Sequence, residues 1–363
     1  MNLKQLQQDD NRERALRYKR ALGQRLSSTE ISELEQIACK KEARLNEERR
    51  LLDAPYAHLP PLPPALPDCW DILSAVPGPS ETEFLTWCVN GRQEAVERYI
   101  DGQEDRVSEL LLKRGLASAC EGGKAQVARY LLQKGVQLHG LAVEHACRKN
   151  DLELFNLFIE FGWHPNQQIP GVNGSFGVAL SNCTSDVRIV RLLLAHGADP
   201  NLGPFDILKR SGLGSSPPMD RRSGDALKKA AQSGNVEVID LLLQHGAVLE
   251  WSTPLHSALF AWPQNRPAFI HVLRLGADPN RNIKVSYGTI WDGGTPLLWA
   301  IRLRNWDAVE LLLEWGADPE AWNLHACVTE MDHNWKGNKG KSLMEIFVAL
   351  VDKVQQNKNN LGS

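Results

Sequence analysis

The sequence predicts an all-α architecture: a stack of short antiparallel helix pairs, preceded by a separate charged helical segment. Three observations carry this. Residues 225–250, DALKKAAQSGNVEVIDLLLQHGAVLE, have the pattern of one such pair. Versions of that pattern recur along most of the 363-residue chain. One pair cannot bury its own apolar face, whereas stacked copies bury a continuous core.

Within 225–250, Ala230 and Ala231 keep the first helix slim enough to approach a neighbour closely. Gly234 and Asn235 supply the turn. Val238, Ile239, Leu242 and Leu243 put an apolar face on the second helix. Gly246 ends it, because glycine enters the left-handed cap conformation at little cost. Related stretches are VRLLLAHGADPN at 190–201, FIHVLRLGADPN at 269–280 and WAIRLRNWDAVELLLEWGADP at 299–319.

These residues resemble the ankyrin repeat, with its T-P-L-H-x-A opening and L-L-L-x-x-G-A-D-x-N close. Thr253-Pro254-Leu255-His256-Ser257-Ala258 fits the opening at every fixed position, and Thr295-Pro296-Leu297-Leu298-Trp299-Ala300 departs only at the histidine. The resemblance implies an ankyrin-repeat solenoid of about seven repeats plus a degenerate C-terminal cap over 80–354. It also implies that His256 bonds backbone in the neighbouring turn.

Bulk properties bound the function. Net charge is −3 and 23% of residues are charged, so nothing biases the whole chain toward nucleic acid or membrane. No run approaches the ~18 apolar residues of a membrane span. The start, MNLKQLQQDD, has no apolar signal-peptide core. The expected location is the nucleus, the cytoplasm or both. The seven cysteines include no C-x-x-C pair. Cys88, Cys120, Cys147 and Cys183 fall in or beside first helices, where buried free thiols are expected.

Residues 1–54 form the charged helical segment. Its cations concentrate in 12–25, where Arg12, Arg14, Arg17, Lys19, Arg20 and Arg25 face Glu13 alone. A second helix is expected from Ser27, spaced from Glu30 as a capping box, to about Leu52. Ile31, Leu34, Ala38, Leu45 and Leu52 mark a weak apolar stripe on it, broken by Lys41 and Glu48. Asn11, Arg12, Tyr18 and Lys19 match the spacing of a bZIP-type basic region, N-R-x-A-x-x-x-[S/C/F/Y]-R. Arg14 stands where that pattern has a small residue. Ser28, Glu35 and Glu42 stand where zipper leucines would begin. A basic region ahead of ankyrin repeats is similar to the basic-region ankyrin regulators of fungal gene clusters. That resemblance implies weak DNA contact through Asn11, Arg12, Arg14, Arg17, Lys19 and Arg20. A merely solvated basic helix face remains the alternative.

Residues 55–79 begin with PYAHLPPLPPALP and are expected to be an extended, semi-rigid linker. Trp70 is expected to dock on the first repeat. The array is divided as 82–102, 114–137, 139–164, 174–201, 223–249, 252–280 and 293–320. A cap follows, with Ser342 and Glu345 as a second capping box. Residues 355–363 are expected to form a flexible tail. The closing glycines 135, 162, 197, 246, 276 and 316 show two swollen connections, 202–224 and 281–294. Repeats four and six carry two extra residues between their helices.

No catalytic, cofactor-binding or metal-binding constellation emerges, and no small-molecule substrate is implied. Gly212-Leu213-Gly214 lacks the strand and helix of a phosphate loop. His145 and Cys147 are two apart on one helix and face different ways. The distinctive chemistry is aromatic: of eleven tryptophans, eight follow residue 250. In ankyrin proteins the fingers and first helices form the usual binding surface. The resemblance therefore points to Trp251, Tyr287, Trp291 and Trp299 as protein-binding candidates, since Trp and Tyr dominate interface energetics. Trp306, Trp315 and Trp322 are expected to pack between repeats or against the cap. Two readings follow: a transcription co-regulator that holds a partner protein while its basic helix touches DNA, or a cytoplasmic adaptor with no nucleic-acid contact.

Overall fold

The computed structural model describes residues 12, 16, 27–53, 60–67, 72, 78–102, 107–171, 174–204, 219–283, 293–321, 324–334 and 342–361. The chain divides into two units, Met1–Ser223 and Gly224–Ser363. Each is a stack of helix pairs, the all-α repeat architecture that the sequence predicts.

In the first unit a long helix, α1 (Ser28–Asp53), precedes the repeats. It starts as its capping box requires. The Ser27 amide donates to Glu30 Oε2 at 2.9 Å, and the Glu30 amide donates to Ser27 Oγ at 3.2 Å. Of the apolar stripe, Ile31 is 47% exposed and Leu34 half-buried, and the neighbouring Ile37 is buried.

Four helix pairs follow: α2 (Pro79–Asn90) with α3 (Gln93–Asp101), α4 (Glu109–Gly122) with α5 (Ala125–Gln133), α6 (Gly140–Lys149) with α7 (Leu152–Glu160), and α8 (Ala179–Asn182) with α9 (Val187–Ala195). The second pair starts earlier than the sequence suggested, because Ser108 caps α4 by accepting from the Leu111 amide. The inner helices α2, α4, α6 and α8 pack side by side, as do the outer helices α3, α5, α7 and α9. Small residues allow it: Ala119, Ala142, Ala146 and Ala179 are fully buried. Phe84, Leu116, Leu131, Leu154, Phe155 and Phe158 fill the space between the rows.

The fourth pair departs from the pattern. A two-stranded hairpin, β1 (Ile169–Gly171) with β2 (Gly174–Gly177), precedes it, beginning in the connection between the third and fourth repeats. Its inner helix is only four residues long. Asn182 Nδ2 donates to the carbonyls of Phe176 and Val178, and such bonds compete with helix backbone.

The second unit holds α10 (Asp225–Ser233) with α11 (Val236–Gln244), α12 (Pro254–Ala258) with α13 (Arg266–Arg274), and α14 (Pro296–Arg302) with α15 (Trp306–Glu314). Ala230 and Ala231 are fully buried, and Asn235 caps α11 through the Val238 amide. All six closing glycines lie between φ +83° and +90°. Pro254 and Pro296 occupy the first turn of their helices, where a missing N–H costs nothing. The cap is α16 (Leu324–Asn334) with α17 (Leu343–Leu361). Ser342 and Glu345 form the expected capping box, at 3.0 and 3.1 Å. The helix then runs on past Val354 to Leu361, where a flexible tail was expected. Lys358 Nζ anchors it by donating to the Leu313 carbonyl at 2.9 Å. That carbonyl lies in the last turn of α15, where intrahelical partners run out.

Ion pairs tie successive outer helices within each unit. Asp101 accepts from Lys134 at 2.7 Å, and Glu160 from Arg129 at 2.5 Å. In the second unit Arg266 meets Asp307 at 2.9 Å and Lys353 meets Glu310, and His271 shares a hydrogen bond with Asp240 at 2.6 Å. These pairs are largely exposed, so each is worth little, and they fix register more than stability.

Candidate partner-binding surface

The aromatic site is built on the second unit. Trp299, on inner helix α14, is half-buried. Its indole N–H donates to the Gly293 carbonyl at 3.3 Å, and Arg302 Nη1 donates to the same oxygen at 2.6 Å. The His256 ring meets it edge-on at 5.7 Å, and Phe260 does the same at 5.4 Å. Phe260 lies in a 3-10 turn, Leu259–Ala261, that extends α12, and it is 56% exposed. The outcome is an aromatic step: an exposed phenyl braced by an indole that is itself pinned to backbone. Leu303, 45% exposed, follows directly after α14.

His256 has the structural role expected of it. Its Nε2 donates to the Gly294 carbonyl at 3.1 Å from a site only 2% exposed. Burial pushes its pKa down to about 4, so the ring is neutral. His139 repeats this in the first unit. It donates to the Lys113 carbonyl at 3.0 Å, and burial again lowers it to about 4. The buried thiols are equally inert. Burial raises Cys88 to about 12 and also raises Cys120.

Of the four protein-binding candidates, only Trp299 is placed in this step. Trp251 is half-buried at the end of a 3-10 turn, Leu249–Trp251. Tyr287 and Trp291 lie outside the described residues, as do Trp70 and Trp322. The stem of their loop is paired through Ile283 and Gly294. Sequence reasoning missed Phe260. Its signal was the unusual run Leu259-Phe260-Ala261-Trp262 where the other repeats have a polar turn. Trp306 is half-buried, and Trp315 is 42% exposed. It caps α15 just before the closing glycine, the position held by the exposed His196 and His245.

At the N-terminus, Arg12 is engaged. Its Nε and Nη2 donate to the two oxygens of Glu33 at 3.0 and 2.9 Å. This hydrogen bonding raises the Arg12 pKa and lowers that of Glu33. Leu16, one turn on, is 1% exposed. Asn11, Arg14, Arg17, Lys19 and Arg20 lie outside the described residues.

The linker is not a free spacer. Residues 60–67 are extended, as their prolines dictate. They lie against the first unit, however. Leu66 is buried and its amide donates to the Gln168 carbonyl at 3.0 Å. The Gly140 amide donates to the Pro67 carbonyl at 3.1 Å.

The class of protein these features define is a helical repeat protein. Residues 292–324 match the model of the ankyrin repeat family. No curated protein matches the chain. Among solved structures, the human ASB11 ankyrin repeat domain is 20% identical. The match covers 76% of this chain and 98% of that one, with a TM-score of 0.37. The ankyrin repeat domain of Bcl-3, described as a unique member of the IkappaB protein family, is 23% identical. That match covers 63% of this chain and 96% of that one, with a TM-score of 0.40. Among the described residues no helix is long and apolar enough to cross a membrane.

Proposed function

We propose that this chain is a non-catalytic recognition protein whose second unit grips a partner protein at the Phe260–Trp299 step. The observation that carries this is the exposed Phe260 held by a hydrogen-bonded Trp299. A rigid, partly exposed aromatic loses little entropy on binding, which is what an interface anchor needs. The test compares partner capture by the wild-type chain, Phe260→Ala and Trp299→Ala, with helicity checked by circular dichroism. Phe260→Ala should lose at least about tenfold in affinity, the scale of a 1.4 kcal/mol anchor, with an unchanged fold. Full capture by both variants would sink the assignment.

The finer reading is a nuclear transcription co-regulator whose basic segment touches DNA. The cationic excess of residues 12–25 supports it. The Arg12–Glu33 pair favours the adaptor without nucleic acid, because it engages one of the six side chains assigned to DNA. Titrating duplex DNA at two salt concentrations decides between them. A DNA role requires binding that falls steeply with salt and disappears when Arg14, Arg17, Lys19 and Arg20 become alanine. Equal weak binding by both chains leaves the adaptor.

A further inference from the structure

The proline-rich strap sits on the first unit as a ligand sits in a site. Of residues 60–67, five are proline, so backbone freedom is largely lost before docking. Side chains alternate between contact and solvent. Leu62 packs on the buried cluster of Val178, Leu202 and Met219, and Leu66 is 6% exposed, while Pro61, Pro64 and Ala65 face water. The repeats also read the strap's carbonyls. Gln167 Nε2 donates to that of Pro64 at 3.1 Å, the Gly140 amide to that of Pro67, and Arg221 Nη2 to that of Pro60 at 2.8 Å.

The fit is incomplete at one end. Arg221 is only 8% exposed, and its Nε has no acceptor among the described residues. A buried guanidinium calls for a carboxylate, which accepts two parallel bonds. At that register, among the described residues, the strap offers the neutral carbonyl of Pro60. The chain's own segment therefore matches the apolar floor but leaves the cation under-satisfied.

We propose that the surface beneath residues 60–67 is a docking site for an extended proline- and leucine-rich segment of the partner protein. That segment carries a carboxylate at the register of Pro60, and the chain's own strap is its displaceable occupant. The proposal rests on the recognition reading above and supplies the chemistry of a second contact. Tethering gives the strap an effective concentration on the order of millimolar. A trans segment must bring something the strap lacks, and the Arg221 carboxylate contact is that surplus.

Two labelled peptides test this: LPPLPPALP, the sequence of residues 59–67, and LEPLPPALP, with glutamate at the Pro60 register. They are titrated into the full wild-type chain and into full chains carrying Leu62→Asp and Leu66→Asp, which unseat the strap. The unseated chain should bind both peptides, at least about tenfold tighter than wild type does. The glutamate peptide should bind about tenfold tighter than its parent, and Arg221→Gln should abolish that increment. A folded, unseated chain that binds neither peptide would make the strap a permanent part of the fold. A dimer formed by strap exchange would make the occupant a second copy. Either result overturns the proposal. If the unseated chain does not fold, the wild-type chain decides. The glutamate peptide must then speed hydrogen exchange at the Leu66 amide, and an unchanged rate at saturating peptide refutes displacement. Partner capture lost in Phe260→Ala with no peptide binding would keep the recognition reading and remove this site. Peptide binding with capture untouched by Phe260→Ala and Trp299→Ala would do the reverse.

Discussion

Replacing Gly122 by alanine would put a methyl carbon 2.0 Å from the Val89 carbonyl oxygen and 2.8 Å from its carbonyl carbon. Neither atom can swing aside, because both are backbone at the end of α2. Helices α2 and α4 would have to separate by roughly 1 Å, the order of strain that overpacked cores show at ~1–3 kcal/mol. Helix propensity works the other way: alanine in a helix is favoured over glycine by about 1 kcal/mol. The sign of the result therefore reports the close approach. Gly135, which closes the same repeat, is the control. It sits at φ +88° with nothing within 4 Å of an added Cβ, so alanine there meets only the left-handed backbone penalty of ~1–2 kcal/mol. We expect Gly122→Ala to destabilise the first unit by a net of about 1 kcal/mol. Exchange protection should fall along both α2 and α4. Gly135→Ala should loosen only the end of α5. Urea unfolding of the full chain, with hydrogen exchange to localise the loss, measures both. Gly122→Ala as stable as wild type, or protection lost at α4 alone, would refute the close packing of the inner row.

Acid should weaken both units. His139 and His256 are held near 4 in the fold against an ordinary 6.5, so the unfolded chain binds their protons first. Stability is complete above pH 6.5 and is lost as pH falls toward 4, at up to about 3 kcal/mol per histidine. Urea melts at pH 7, 5 and 4 read this, and His256→Asn should flatten the slope for the second unit. Lys358→Ala should cost that unit about 1 kcal/mol, the worth of a charged donor on a partly buried carbonyl, and fray the end of α17 by exchange. Arg304 holds φ +55° in the turn after α14, where the equivalent residue after α10 is Gly234. Arg304→Gly should raise the second unit's unfolding free energy by about 1 kcal/mol, and no gain in urea midpoint would count against strain there.

What the sequence revealed was local. The closing glycines and both capping boxes were legible because each depends on residues a few positions apart; His256 was legible only through the repeat opening that carries it, since the carbonyl it bonds lies 38 residues on. The strap was not, because Pro60 meets Arg221 from 161 residues away. A proline-rich composition specifies an extended backbone and says nothing about what lies beneath it. The far half of α17 was hidden for a related reason. QQNKNN carries no apolar period, yet Lys358 finds a carbonyl 45 residues earlier. Phe260 was hidden by its type, since an apolar residue at a helix end reads as core until exposure is known.

The two units meet the same physical problem in different ways. Inner helices that pack side by side through alanines leave their opposite faces without a partner. In the first unit the chain lays its own segments there: Leu62 closes over Val178, and Ile72 joins Ala117 and Leu141 in a buried cluster. In the second unit Phe260 and Leu303 remain open to solvent at the ends of inner helices. The tryptophan bias after residue 250 falls in the unit that carries the open aromatic step. An exposed phenyl buttressed by indole is costly to leave in water, and burying it against a partner recovers roughly 1.5–3 kcal/mol. On the proposed recognition reading, that difference is why capture is expected at the second unit, with the first unit's covered surface open only to a segment that outcompetes the strap.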